Sequence, residues 1–156
     1  MDKIRGFGFL TNNLDENKLL NFVRNHENTI INNTKPNDPM RGLVEYAKTH
    51  TDIDCDLLTF SAMFCEIVSE NTRVYHHEAI IANVIYYETG IRFGYYGFDD
   101  GCLSAVLFES AFPWELNDIE KTITTREQMF NILRKYTDEL FDTPITITTL
   151  TLYFND

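Results

Sequence analysis

His76-His77-Glu78 is the run in this chain whose residue types best suit metal binding or proton transfer. The Ile, Val and Tyr residues that follow suggest a strand, on which adjacent side chains point to opposite faces. His76 and His77 then cannot grip one ion together, whereas His76 and Glu78 share a face. A metal site there needs Cys or Asp ligands from elsewhere, and no ligand spacing in the chain supplies them. Polar residues at a strand rim account for the run. Asp52-Ile53-Asp54-Cys55-Asp56 imitates the opening of a calcium loop, but such a loop needs Gly at its sixth position and Glu at its twelfth, where this chain has Leu57 and Met63. A helix N-terminus, which favours carboxylates through its dipole, explains these acids better. Gly6-Phe7-Gly8 lacks the third glycine of a dinucleotide loop, and no serine sits in a Gly-x-Ser-x-Gly elbow. Cys102 beside His76 or His77 is the remaining nucleophile–base arrangement, although a lone Cys on an apolar strand is usually core. No catalytic residue, metal or cofactor is expected.

The charge map says more. Between Lys48 and Lys121 thirteen acidic residues face two basic ones, Arg73 and Arg92. This stretch holds the whole net charge of −11, and its flanks cancel. Such an imbalance works against a compact state by self-repulsion and selects basic partners. With 44% hydrophobic and 13% aromatic residues, the chain builds a core and is not a disordered acidic tail. Nucleic-acid phosphates and anionic membranes need clustered Lys and Arg; Lys3/Arg5 and Arg134/Lys135 are sparse, so neither is an expected direct partner. No run of about 18 apolar residues suggests a membrane span. The N-terminus lacks the apolar core of a signal peptide, and Cys55, Cys65 and Cys102 are an odd, scattered set, so a reduced, cytoplasmic protein is expected.

The elements that must position these residues can be read in order. Residues 3–10 form a strand with Phe7 and Phe9 on one face. Asn13 opens a capping box with Glu16, predicting a helix with Leu19, Phe22 and Val23 inward, which frays into a polar loop over 25–34. Asp38-Pro39 starts a second helix with Leu43, Val44 and Ala47 inward. A third helix over 54–70 is apolar round most of its circumference and is the expected central helix; its polar stripe (Asp56, Thr59, Met63, Glu66, Glu70) is acidic. Glu88-Thr89-Gly90 and Asp99-Asp100-Gly101 suit hairpin loops, so a meander of 76–88, 91–98 and 102–109 follows. A helix ending at Gly90 is the alternative for its first segment. Gly94 and Gly97, around Tyr95-Tyr96, suggest close approach of a neighbour. Phe112-Pro113-Trp114 breaks the pattern. A last helix starts near Thr124, with Glu127 in a capping box and Met129, Ile132, Leu133, Tyr136 and Leu140 inward, and Pro144 ends it. Residues 145–154 form a strand whose change of apolar parity implies a bulge near Thr148-Thr149. Together these predict a single α+β domain over residues 1–156. Its mainly antiparallel sheet comprises the N-terminal strand, a central three-stranded meander and the C-terminal strand, with about four helices packed on it.

On these elements the acids fall at the start and along one stripe of the third helix (Asp52, Asp54, Asp56, Glu66, Glu70), on two hairpin tips (Glu88, Asp99, Asp100) and within 115–120. Tyr95 and Tyr96 lie nearby, of a residue type enriched at interfaces. These residues are the expected partner-binding set. The expected function is non-enzymatic: an acidic face docks on a basic protein, a nuclease toxin or another nucleic-acid-binding protein, steered by opposite charge. In size, charge and lack of a catalytic motif the chain is similar to the small immunity proteins that neutralise nuclease toxins. Phage-borne nucleic-acid mimics that block restriction or CRISPR enzymes are the second reading. A small enzyme with dispersed His, Cys and Glu residues is the third.

Overall fold

The computed structural model describes residues 2–49, 77–97, 103–109 and 113–154. Its frame is a four-stranded antiparallel sheet in the order β2-β3-β1-β4: β1 (Asp2–Leu10), β2 (Gly94–Gly97), β3 (Ser104–Glu109) and β4 (Thr148–Phe154). β1 pairs on both edges, so that Phe7 stands between Phe108 of β3 and Thr149 of β4. Alternation sends Phe7 and Phe9 to the helix-covered face. The opposite face carries a smaller apolar cluster of Ala105, Leu107 and Leu152, with Ile4, Tyr96 and Leu150.

The helices among the described residues are α1 (Glu16–Asn25), α2 (Glu27–Asn33), α3 (Pro39–Thr49), α4 (His77–Thr89) and α5 (Arg126–Leu140), with 3-10 turns at Pro113–Glu115 and Glu120–Thr122. α1 packs on α3 and α5, α2 on α3 and α4, and α4 on β2 and β3. The α+β class and the two terminal strands follow the sequence pattern, as do the Asp38 cap, whose Oδ1 accepts from Met40 N–H at 2.8 Å, and the buried Leu43, Val44 and Ala47 of α3. The helix expected over 54–70, the turn at Asp99-Asp100-Gly101 and the three cysteines lie outside the described residues. Among the described residues no helix is long and apolar enough to cross a membrane.

The largest departure is α4. Residues 76–88 were expected as the first strand of a meander; His77–Thr89 is a helix, and the meander reduces to the shorter antiparallel pair β2–β3. Ala79, Ile80, Ile81, Ala82, Val84 and Ile85 are all buried, so apolar side chains occupy every side and leave no 3.6-residue period to read. The strand preference of Ile and Val spans about 1 kcal/mol, less than the roughly 1.5–3 kcal/mol from burying each side chain, so packing decides. Gly90, at φ 78°, ends the helix, and its N–H donates to the Tyr86 carbonyl at 2.8 Å. Glu88-Thr89-Gly90 is therefore a helix C-terminus and not a hairpin tip.

Smaller corrections have local causes. Asp15, not Asn13, caps α1, accepting from the N–H groups of Asn17 and Lys18 at 2.8 and 3.3 Å. Residues 27–33 form α2 instead of a polar loop, because a helix there turns Ile30 into the core. Thr125 and Gln128 close the capping box of α5, one residue beyond the expected pair. β4 pairs with β1 residue for residue, without a bulge; the parity change arises because Ile145 and Ile147 precede the strand and pack against the core.

One polar tie joins four helices. His26, at the α1–α2 junction, lays its ring against Phe22 with centroids 4.4 Å apart. Its Nδ1 lies 2.8 Å from Glu88 Oε2 on α4 and its Nε2 2.8 Å from Glu139 Oε2 on α5. Donating to both needs both ring nitrogens protonated, as in imidazolium. Glu88 also accepts from Thr29 Oγ1 at 2.8 Å and Tyr136 OH at 2.9 Å. Burial works against the charged ring, but the hydrogen bonds to Glu139 and Glu88 outweigh it and raise the imidazole pKa above 6.5. Burial likewise opposes the Glu88 charge, and the bonds from His26, Thr29 and Tyr136 outweigh it, holding the carboxyl below 4.5. The raised His26 pKa contributes stability that is complete below 6.5 and is lost as pH rises through the folded-state value. The lowered Glu88 pKa contributes above 4.5 and is lost as pH falls. His26→Leu is expected to reduce stability in urea by about 1–3 kcal/mol at about pH 6, with the deficit shrinking towards about pH 9. A deficit that does not change with pH would mean the ring acts through packing alone.

Candidate functional site

Apart from Asn83, the polar residues of α4 lie towards its ends. At its start, His77 and Glu78 meet Thr11, just past β1, and Ser104, the first residue of β3. Thr11 N–H donates to the Ser104 carbonyl at 2.8 Å, and Thr11 Oγ1 donates to Ser104 Oγ at 2.7 Å. His77 Nε2 stands 3.0 Å from both hydroxyl oxygens, and its Nδ1 stands 3.3 Å from Glu78 Oε2. The strand-rim placement expected for this run gives way to a helix start, where His77 neighbours Glu78; His76 lies outside the described residues. Gly97, opposite Ser104 across β2–β3, leaves room for the Glu78 carboxylate; a Cβ there would collide with Oε1.

Hydroxyl, imidazole and carboxylate in this order resemble a nucleophile–base–orienter relay. A nucleophile has to meet its substrate, however, and Ser104 is 4% and His77 9% exposed. The arrangement ties α4 to the ends of β1 and β3. Glu78 is its costly member. It is 2% exposed, its Oε2 finds no hydrogen bond among the described residues, and burial pushes its carboxyl up to about 7.

The expected partner-binding set divides. Asp52, Asp54, Asp56, Glu66, Glu70, Asp99 and Asp100 lie outside the described residues. Glu88 is taken up by His26, Thr29 and Tyr136. Tyr95 is exposed, whereas Tyr96 packs into the cluster on the opposite face, so the two tyrosines do not share a surface.

A different group forms beside the start of β2. The Arg92 guanidinium donates to Glu120 Oε1 at 2.7 Å and to the Glu115 carbonyl at 2.6 Å. Glu120 also accepts from the backbone N–H groups of Arg92 at 2.8 Å and Asn117 at 3.0 Å. Burial opposes its charge, but these donors outweigh it and hold its carboxyl below the usual range. Glu120, expected on display with its 115–120 neighbours, is thus an internal anchor, 1% exposed. Asn117 Nδ2 donates to the Gly90 carbonyl at 2.8 Å, and Ile119 lies against Gly90. The segment is held beside the α4–β2 connection and presents Trp114, 76% exposed, with Ile119 and, from α4, Tyr86. Glu109, Glu115 and Asp118 are exposed around them. A cleft of ≈ 280 Å³ opens here between Arg92, Gly94, Glu109, Glu115 and Glu120. Trp114 is absent from the expected set; its signal was a lone tryptophan leading into an acidic run, read as a break in pattern. Among the described residues no three His, Cys, Asp or Glu side chains are grouped to hold a metal ion.

Because the Glu78 pKa lies above its ordinary 4.5, the fold loses stability as pH rises from there through about 7. Glu78→Gln is expected to gain about 2–4 kcal/mol over the parent at about pH 8 and little at about pH 4.5, read from guanidinium unfolding. Equal stability at both pH values would show that the carboxylate is charged and satisfied in the fold. No protein-family model matches this chain, and no curated protein or solved structure does so either.

Proposed function

We propose that this chain is a non-enzymatic acidic binding protein that neutralises a basic protein partner, in the manner of an immunity-type inhibitor of a nuclease toxin acting in the cytoplasm. The observation that carries the proposal is the surface beside the α4–β2 connection, where exposed Trp114, Tyr86 and Ile119 lie along the segment held by Arg92, with exposed Glu109, Glu115 and Asp118. Trp and Tyr dominate binding hot spots because they bury large area with little entropy lost. Carboxylates around them attract a basic surface and speed its approach. The Arg92–Glu120 anchor fixes the segment before a partner arrives, which lowers the ordering cost of association. A net charge of −11 extends the same attraction over longer range.

Capture from a lysate of the native host, read by mass spectrometry, tests this. A basic nucleic-acid-binding protein is expected to be retained at low salt and lost at high salt. Trp114→Ala combined with Glu115→Lys should weaken that capture about tenfold or more, while Asp138→Lys on the outer face of α5 should leave it nearly unchanged. Capture indifferent to the Trp114 and Glu115 changes would sink the proposal.

A further inference from the structure

Arginines in this fold are tied almost everywhere. Arg24 donates to Asn21 Oδ1 and the Ala47 carbonyl, Arg41 to the carbonyls of Ile31 and Thr34, Arg92 to Glu120, and Arg134 pairs with Asp138. Arg5 and Arg126 are the exceptions: neither guanidinium has a carboxylate or hydrogen-bond partner among the described residues. Both line one cavity of ≈ 240 Å³, whose other walls are Gly6, Phe7, Phe108 and Thr149. In a chain with this excess of acid, two unpaired guanidinium groups at one cavity, with no carboxylate in its lining among the described residues, are a built positive site. Its placement follows from the fold. Alternation along β1 puts Arg5 on the face that carries Phe7, and the β1–β3 and β1–β4 registers set Phe108 and Thr149 on either side of Phe7. Arg126 opens α5, so the positive end of a 15-residue helix adds to the field.

We infer that this cavity binds a small phosphate monoester carrying a flat apolar group. Two guanidinium groups match the charge of a dianion, and their planar forks suit phosphate oxygens. The Thr149 hydroxyl adds a donor. Phe7 and Phe108 are the apolar walls for the ester's ring, and the modest volume suits a single ring rather than a larger ligand. The site is distinct from the acidic surface beside β2 and does not depend on that reading.

Phenyl phosphate titrated into the full chain, followed by calorimetry and by amide NMR shifts, is the test. Saturable binding is expected, with shifts centred on Gly6, Phe108, Arg126 and Thr149. Arg5→Gln and Arg126→Gln should each weaken it about tenfold or more, inorganic phosphate should bind more weakly for want of the ring, and phenol should not bind. Both side chains are exposed and untied, so the variants should melt with the parent; if either misfolds, the shift map on the parent decides. Shifts elsewhere, undiminished binding by the Arg5→Gln/Arg126→Gln double variant, or benzoate binding as tightly as phenyl phosphate would each overturn the assignment.

Discussion

The enclosure of α4 is the constraint on which the rest depends. Over His77–Ile85, where only Asn83 is half-buried, the helix satisfies its own backbone but has little flank on which to place polar side chains. Apart from Asn83 its polar groups lie towards its two ends, and each end becomes a junction. At the start, His77 and Glu78 join the ends of β1 and β3 through Thr11 and Ser104. At the finish, Glu88 gathers α1, α2 and α5 through His26, Thr29 and Tyr136. Directly beyond, Gly90 reverses the chain so that Arg92 can seize Glu120 and draw the 113–120 segment alongside. This helix, enclosed over most of His77–Ile85, thus organises two hydrogen-bonded junctions and, one step further on, the exposed aromatic surface.

That geometry changes the meaning of the net charge. A count of −11 treats every carboxylate alike. In the fold Glu120 is neutralised internally by Arg92, Glu88 and Glu139 share His26, and Glu78 is held near the point of protonation. Glu120 and Glu78 are buried away from a partner, and the Glu88–His26–Glu139 group keeps one negative charge in place of two. Of the described acids between Lys48 and Lys121, the other exposed ones are Glu109, Glu115 and Asp118, and Glu115 follows the exposed Trp114 directly. Charge alone would draw any cation; charge beside Trp114 adds shape and desolvation, the ingredients of a specific contact.

The same constraint sets how much was legible in the sequence. In β1, α3 and α5 the apolar residues recur with the period of their structure, and Phe7, Leu43 and Leu133 could be read from spacing alone. Over His77–Ile85 α4 is buried on nearly every side, which erases the period and leaves only Ile and Val, whose strand preference points the wrong way. The error then spread, because a strand over 76–88 turns Glu88 into a hairpin tip and makes it a candidate for display. Gly90 was the residue that could have arbitrated, since a glycine closes a helix and a hairpin equally well in sequence and differs only in which carbonyl its N–H meets. For the site, residue types near the surface were legible and partnerships were not. Arg92 and Arg126 look alike in the sequence, yet Arg92 is bound to Glu120 across 28 positions while Arg126 faces an open cavity. Whether a charge holds the fold together or waits for a ligand is a property of contacts made at long range, and local pattern carries no trace of it.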